Sequence, residues 1–481
     1  MHPRVVLNAL AAVCAAGGAA MFLPAAYSLF VGDGNVFAFG LPALVTLALA
    51  SAMFLGTRSP NSYVSGRDVF LIVVLGWLGI GAIGAAPFVL SGLMGPVDAF
   101  FESMAGFTTT GSSTLTTPEE VAPSLLLWRS LTQWAGGIGI VVLFVAVAPL
   151  VGFGATQLYS AEVANPMPER ITPRIRETAK ILAYIYGALT LGGLVALLLA
   201  GMGPFDAFNH ALTTVSTGGF STRSDSIAAF DSWAVELAVI AGMLLSGVNF
   251  ALYFHAARGR TGRALGNREF LAYLGIVAGS TILLTAILYA SEYANSPLTA
   301  FREALFQSAS LATGTAFSTA AWSSWGPFAQ VFLMLLMAIG PCAGSTGGGL
   351  KVIRAVLLAR HARQEIFRII HPQAVTPLKL GNRVIPERMR GAFLGFFFVY
   401  VALLIVGTLL IALHGVPVGA AFGSVFACLN ITGTALGPAG DPAFYADLPG
   451  SAKALLTFFM LLGRLELFTV LVLLTPAFWR G

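Results

Sequence analysis

Charged residues are scarce in this chain. Lys, Arg, Asp and Glu make up only 10% of its 481 residues, whereas an average soluble domain contains about 25%. The three cysteines (Cys14, Cys342 and Cys428) show no CxxC spacing, so no disulfide framework or zinc site is indicated. The six histidines are scattered and form no catalytic cluster, so we expect no enzyme activity. The net charge of +5 is small and does not indicate nucleic-acid binding.

Long apolar runs take up the space that charge leaves. Hydrophobic residues make up 57% of the chain, and the mean hydropathy is +0.83. Runs of about twenty apolar residues predict membrane spans, and we find ten. They lie at 5–31, 36–57, 68–92, 124–151, 178–202, 232–257, 268–291, 326–358, 391–414 and 452–478. The sequence therefore predicts a multi-pass protein of the lipid bilayer.

Basic residues predict how the chain is oriented. They cluster in connecting segments 58–67, 170–180, 258–268 and 360–390, which alternate so as to share one side of the membrane. By the positive-inside rule this side and the N-terminus are cytoplasmic. Segments 157–177 and 360–390 are candidates either for docking a soluble partner or for basic anchoring at lipid headgroups. The segments on the opposite side are rich in acidic residues, and negative charge there concentrates cations. These residues are Asp98, Glu102, Glu119, Glu120, Asp225, Asp231, Asp441 and Asp447.

One short stretch occurs four times between long apolar runs. The copies read FESMAGFTTTGSS at 101–113, FNHALTTVSTGGF at 208–220, FQSASLATGTAFS at 306–318 and GSVFACLNITGTA at 423–435. Their starts are about a hundred residues apart, which is typical of an internal repeat. Counting ten residues from each start reaches Gly111, Gly218, Ala316 and Gly433. Any single cluster of this kind is usually an ordinary turn, but four in matching positions favour a common role.

A short helix followed by Thr, Ser and Gly suits cation selection. Glycine lets the backbone adopt conformations that other residues avoid, and a ring of carbonyl oxygens replaces the hydration shell of a permeating ion. Irregular backbone at membrane depth is tolerated where it lines a cavity or is buried in protein. We therefore predict an ion-binding filter formed by Thr109, Thr110, Gly111, Ser216, Thr217, Gly218, Thr313, Gly314, Thr315, Ala316, Ile431, Thr432 and Gly433.

Two further features lie within predicted spans. The eighth span is broken by one Pro and five Gly within residues 340–349, which cannot continue a regular helix. A nucleotide-binding P-loop is set aside, because Lys351 follows Leu350 within a membrane helix. Arg464 lies about halfway along the last span, where a charge marks an ion path or a buried pair. Either it pairs with Glu466 or a neighbouring helix, or it is a fixed charge below the filter.

These motifs together resemble the Trk/Ktr/HKT superfamily of potassium transporters, most closely the membrane subunits of bacterial Trk systems. The resemblance covers nearly the whole chain and is specific. It rests on GFTTTG at 106–111, QWAGGIG at 133–139, STGGFST at 216–222, CAGSTGGGLK at 342–351 and LGRLE at 462–466.

The resemblance implies an all-α fold of four membrane-pore-membrane repeats around a single pore, preceded by an N-terminal two-helix hairpin. The units would be the hairpin at 1–66 and repeats at 67–155, 156–265, 266–385 and 386–481. It also implies a homodimer in the bacterial cytoplasmic (inner) membrane, K⁺ as the transported ion, and a cytosolic regulatory ring of subunits that bind a nucleotide, NAD or ATP. The implied gate consists of Gly344, Ser345, Thr346, Gly347, Gly348, Gly349 and Arg464.

The third copy departs from the family pattern, since Ala316 stands where a filter glycine is expected and Gly314 lies two residues earlier. An alanine in left-handed backbone costs roughly 1–2 kcal/mol. Either this quadrant is distorted or Gly314 makes the turn. We predict gated potassium uptake. The alternative is a sodium-permeable or ion-coupled (Na⁺/K⁺ or H⁺/K⁺) symporter on the same scaffold.

Overall fold

The computed structural model describes residues 1–57, 65–151, 175–374, 379–380, 383–384 and 387–480. Most of the predicted surface segment 157–177 lies outside these residues. The fold is all-α, as predicted, apart from one antiparallel pair of two-residue strands, β1 (Lys379–Leu380) and β2 (Arg383–Val384).

The first half of the described chain contains eleven α-helices. They are α1 (Pro3–Ala20), α2 (Phe22–Val31), α3 (Val36–Gly56), α4 (Gly66–Leu90), α5 (Pro96–Phe107), α6 (Pro123–Val151), α7 (Ile175–Leu199), α8 (Pro204–Val215), α9 (Trp233–Ser246), α10 (Phe250–Ala257) and α11 (Thr261–Leu265). The second half contains ten more. They are α12 (Arg268–Ala290), α13 (Pro297–Thr313), α14 (Pro327–Ile339), α15 (Val352–Ile370), α16 (Glu387–Ala412), α17 (Val418–Asn430), α18 (Pro442–Asp447), α19 (Gly450–Arg464), α20 (Phe468–Leu471) and α21 (Pro476–Trp479).

Long apolar helices form the shell of an integral membrane protein. Six described helices, at the first, second, third, fifth, seventh and ninth predicted spans, are long and apolar enough to cross a bilayer. In the most apolar stretch of each helix, only 17–33% of the residues are buried inside the protein. By contrast, most residues of the short helices α5, α8, α13 and α17 are buried. The shell thus faces lipid, and the polar Thr/Ser/Gly clusters lie in the core.

Two predicted spans are bent, which the sequence analysis did not foresee. The sixth span bends by 91° between α9 and α10, and the tenth bends by 112° between α19 and α20. At the second bend Glu466 and Leu467 adopt left-handed backbone with φ of 58° and 34°. The eighth span is broken as predicted, since α14 ends at Ile339 and α15 begins at Val352.

The N-terminal hairpin is joined to the rest through Asp33, in the connection between α2 and α3. Its carboxylate accepts hydrogen bonds from the Ser28 hydroxyl and, at 3.0 Å, from the Ser124 amide in the first turn of α6. Partial burial acts to raise the pKa of Asp33, but hydrogen bonds from Ser28, Ser124 and Asn35 outweigh it and lower the pKa. Asp33 therefore serves as an N-terminal cap from outside helix α6.

Replacing Asp33 with Ala is expected to destabilise the protein by about 1 kcal/mol, the usual effect of losing a helix cap. Thermal unfolding of the purified protein in detergent measures it. Since the folded-state pKa is lowered, the contribution is present above the ordinary carboxyl pKa of about 3.9 and is lost as the pH falls below it. The exposed Asp225, which caps no helix with its side chain, provides the control variant Asp225→Ala. Equal melting of both variants would contradict this role.

Candidate functional site

Each buried short helix ends where a Thr/Ser/Gly cluster begins. We call the four following segments loop 1 (108–113), loop 2 (216–221), loop 3 (314–318) and loop 4 (431–435). Each loop contains two residues with left-handed backbone, separated by one residue. The pairs are Thr109 and Gly111, Thr217 and Gly219, Gly314 and Ala316, and Ile431 and Gly433. Four copies of such an unusual alternation indicate that one backbone conformation is repeated.

Backbone hydrogen bonds fix the register between the four loops. The residue between the two left-handed positions donates to the carbonyl five residues earlier, at 2.9–3.0 Å, in all four loops. By this register Gly219 corresponds to Gly111, Ala316 and Gly433. The ten-residue count that assigned this position to Gly218 was therefore one residue short, because Phe208 is not the structural counterpart of Phe101.

Gly218 is required for a different reason. The side chain of Gln133 on α6 donates from Nε2 to the Gly218 carbonyl at 2.7 Å and accepts the Phe220 amide at Oε1 at 3.1 Å. A β-carbon on Gly218 would collide with this amide group. Gln133 thus forms hydrogen bonds with the residues immediately before and after the left-handed Gly219. The sequence analysis quoted Gln133 within a family motif but gave it no role.

The four loops meet in a closed ring. A β-carbon on Gly111 would meet the carbonyl oxygen of Gly218, and one on Gly219 would meet that of Thr315. Likewise, one on Gly314 would lie 3.4 Å from the carbonyl oxygen of Ile431, and one on Gly433 would meet that of Thr110. Loop 1 thus contacts loop 2, loop 2 contacts loop 3, loop 3 contacts loop 4, and loop 4 returns to loop 1. We refer to these four loops as the ring.

Loop 3 keeps the common conformation despite its alanine. Gly314 has φ of 74° and Ala316 has φ of 60°, so both left-handed positions are occupied. Gly314 therefore does not replace Ala316. Each loop has one non-glycine residue in strained left-handed backbone, which is Ala316 in loop 3 and Thr109, Thr217 or Ile431 in the others.

The segment 340–349, which we call the Gly-rich segment, lies against the ends of the short helices. A β-carbon on Gly347 would lie 2.6 Å from the carbonyl oxygen of Thr313, and one on Gly348 would meet that of Asn430. The Thr346 hydroxyl donates to the Val215 carbonyl at 3.2 Å and accepts from Thr217 at 3.1 Å. The Gly-rich segment therefore contacts the C-terminal ends of α8, α13 and α17 together.

The bend between α9 and α10 holds the other side of the Gly-rich segment. The Cys342 amide donates to the Gly247 carbonyl at 3.0 Å, and the Phe250 amide donates to the Gly344 carbonyl at 3.2 Å. The buried Glu269, at the start of α12, accepts the Ala343 amide at 2.6 Å. The sequence analysis missed Glu269 and the bend, because a lone acidic residue at a span end carries no distinguishing signal.

Arg464 contacts the Gly-rich segment from the last span. It is buried, and its guanidinium donates to the carbonyls of Thr346 and Gly136, each at 2.7 Å. The pairing with Glu466 is not found, since Glu466 binds Arg354 at 2.6 Å instead. Gly136 in turn has no room for a β-carbon against the Phe107 carbonyl at the end of α5. Arg464 thus links the Gly-rich segment to the first short helix.

Glu102 is not a surface residue, although the sequence analysis counted it among the acidic residues of the side opposite the basic segments. It is 1% exposed on α5 and forms an ion pair with the buried Arg129 at 2.5 Å. Arg129 also donates to the Ser221 carbonyl at 3.0 Å and lies 3.6 Å from the centre of the Phe220 ring. This pair connects loop 2 with the first short helix. Asp98 is likewise paired, with Lys453 of α19.

Apolar helices around a buried ring of irregular loops define a polytopic α-helical membrane protein, built as channels and transporters are. The chain belongs to the TrkH family of cation transport proteins, whose family model matches residues 37–480. It is 40% identical over 484 residues to the Trk system potassium uptake protein TrkH of Salmonella typhimurium, with 100% of both chains covered.

More distant relatives and a solved structure agree with this assignment. The Trk system potassium uptake protein TrkG of Escherichia coli K12 is 31% identical, over 100% of this chain and 99% of the relative. The crystal structure of the potassium transporter TrkH from Vibrio parahaemolyticus superposes with a TM-score of 0.93 at 38% identity, covering 100% of both chains.

Replacing Ala316 with Gly is expected to stabilise the protein by about 1 kcal/mol, because glycine removes the strain of left-handed backbone. Thermal unfolding in detergent measures the change. The control is Ala309→Gly in the middle of α13, where glycine is expected to destabilise by about 1 kcal/mol. A lower melting temperature for Ala316→Gly would count against the strain.

Proposed function

We propose that the ring is a cation selectivity filter and that the chain takes up potassium. Backbone carbonyls of loops 1 to 4, at 109–111, 216–219, 313–316 and 431–433, would replace the water around the ion. The observation that carries this proposal is the closed cycle of close backbone contacts between the loops. Such contacts hold the oxygens of four segments at one site. The printed names of the relatives, potassium uptake proteins of Trk systems, point to the same ion.

The Gly-rich segment is the proposed gate, with Gly344, Ser345, Thr346, Gly347, Gly348 and Gly349 beneath the ring. Its contacts with the ends of three short helices support a shut conformation. Arg464 holds it there, since its guanidinium donates one hydrogen bond to the Thr346 carbonyl of the segment and one to the Gly136 carbonyl of α6. Its positive charge raises the barrier to cations. Opening requires that the Thr346–Arg464 hydrogen bond break or move.

The proposed setting is the bacterial cytoplasmic membrane, with the N-terminus and the basic segments in the cytoplasm. We further propose that the protein works as a homodimer with a cytosolic regulatory ring that binds NAD or ATP. Two observations support these proposals. The chain belongs to the family, and segments 258–268 and 360–390 carry basic residues that suit a cytosolic partner or lipid headgroups.

A sodium-permeable or ion-coupled symporter is the second candidate, and one observation favours it. Ala316 introduces a methyl group at the second left-handed position of loop 3, where the other three loops have glycine. If one loop differs from the other three, the carbonyl oxygens are arranged less regularly around the ion, and the ring discriminates less well between K⁺ and Na⁺. Uptake of both ions into liposomes containing the purified protein, with and without a pH or Na⁺ gradient, separates the two candidates.

Replacing Gly111 with Ser is expected to lower the ratio of K⁺ to Na⁺ uptake several-fold in that assay. The added β-carbon meets the Gly218 carbonyl and must displace it. The matched control is Gly95→Ser at the start of the same helix, where a β-carbon has nothing within 4 Å. An unchanged ratio for Gly111→Ser would remove the filter assignment.

Replacing Arg464 with Gln is expected to raise basal cation flux several-fold, since the change removes both the charge and part of the hold on Thr346. Arg368→Gln is the control, because Arg368 forms a surface pair with Glu365 on the same helix. Flux no greater than in the unmodified protein would contradict the gate.

A further inference from the structure

We propose that Glu102, His210 and Gln307 are positioning residues that hold the outer ends of loops 1 to 3 through a serine hydroxyl in each loop and thereby set cation preference. The inference rests on the proposed filter and adds the side chains that fix its geometry. The three serines are Ser113, Ser221 and Ser318.

The three pairs occupy equivalent positions. Each helix residue lies seven positions before the first left-handed residue of its loop, and each serine lies two positions after the second one. The equivalence appears only in the register found here, because the shifted count aligns Asn209, not His210, with Glu102. Chance alone does not place three hydrogen bonds at the same two positions of a repeat.

In loop 1 the tie is charged. The Ser113 hydroxyl lies 2.9 and 3.1 Å from the two carboxylate oxygens of Glu102, and it accepts the Leu115 amide at 2.9 Å. The Thr114 amide also donates to Glu102, at 2.9 Å. Arg129 neutralises the buried carboxylate. Loop 1 is thus held by a charge-assisted hydrogen bond, which is the stronger kind.

In loop 2 the tie is an imidazole. Nδ1 of His210 lies 2.8 Å from the Asp206 carbonyl, which can only accept, so Nδ1 carries a proton. Nε2 lies 3.0 Å from the Ser221 hydroxyl oxygen, which already accepts the Arg223 amide. The hydroxyl therefore donates to Nε2 of the neutral ring. Phe230 and Phe317 pack around His210 and fix its plane.

In loop 3 the tie is an amide and is longer. Nε2 of Gln307 lies 3.3 Å from the Ser318 hydroxyl oxygen and 3.4 Å from the Ala320 carbonyl oxygen. The Ser318 hydroxyl donates to the same Ala320 carbonyl at 2.8 Å. This shared arrangement is the weakest of the three ties, and it lies in the loop that contains the strained Ala316.

Loop 4 provides an internal comparison, because the two equivalent positions are Ser424 and Ala435. Alanine has no hydroxyl, and the Ser424 hydroxyl donates to the Ala421 carbonyl of its own helix at 3.0 Å. Both residues are buried. Loop 4 thus lacks the tie that the other three loops share, although its backbone conformation is the same.

The ties act on the ring because they lie close to it. Their helix residues are buried, and Ser221 and Ser318 are half-buried. Ser113 and Ser221 each lie two residues after a left-handed glycine whose backbone touches the next loop. Ser318 lies two residues after Ala316, whose carbonyl carbon would be 3.6 Å from a β-carbon on Gly219 of loop 2. Loss of the hydroxyl frees the outer end of that loop, and the carbonyls that face the ion then move over a wider range. A less constrained set of oxygens discriminates less well between ions of different radius.

The test compares K⁺ and Na⁺ uptake by the full-length protein in liposomes. Ser113→Ala and Ser221→Ala are each expected to lower the K⁺-to-Na⁺ ratio about fivefold, the scale of one lost hydrogen bond. Ser318→Ala is expected to lower it less. Ser424→Ala, at the untied position, should leave it unchanged. Ser113→Thr and Ser221→Thr keep the hydroxyl and should retain most of the preference.

Two outcomes overturn the proposal. The first is an unchanged ratio in both Ser113→Ala and Ser221→Ala, and the second is an equal fall in Ser424→Ala. If Ser221→Ala does not fold, as judged by size-exclusion chromatography, His210→Leu removes the same hydrogen bond and must give the same fall. If Ser113→Ala does not fold, the result for loop 2 alone decides. Gly111→Ser separates failure of this proposal from failure of the filter assignment. If the ratio falls in Gly111→Ser but not in the serine variants, only the ties are rejected. If it is unchanged in all of these variants, the filter assignment is rejected as well.

Discussion

Close approach of backbone to backbone around the ring is the constraint on which the rest of the structure depends. At Gly111, Gly219 and Gly433 the position of a β-carbon is already occupied by a carbonyl group of the next loop. At these positions a side chain would collide with the neighbouring loop, and the polar groups that fix each loop come from other elements. Gln133, Arg129 and the ties from the short helices supply this support. The buried polar side chains of this membrane protein are concentrated where irregular backbone needs partners.

Backbone oxygens are also the contact groups between the short helices and the Gly-rich segment. Helix C-termini carry partial negative charge, and the Gly-rich segment and Arg464 lie against the carbonyls at or near these ends. Glycine at 347 and 348 permits this contact because any side chain would collide with Thr313 or Asn430. The glycines of the segment thus serve close packing as well as the break in the helix.

Much of the fold could be predicted from the sequence, because a span or a helix break leaves a local signal. Apolar runs placed the long helices, and the Pro and Gly residues at 340–349 placed the break. The bend at 247–249 was missed because its single glycine resembles many that lie within helices. Register in loop 2 was missed by one residue, because two adjacent glycines fit the pattern equally well. Burial of Glu102 depends on Arg129, which is distant in sequence, and no local pattern reports such a partner.

Residues 258–267 connect α10 with α12, and both of these helices carry a residue that is hydrogen-bonded to the Gly-rich segment. On one side the Phe250 amide holds Gly344, and on the other the Glu269 carboxylate holds the Ala343 amide. A displacement of these residues would therefore act on two neighbouring peptide groups of the Gly-rich segment.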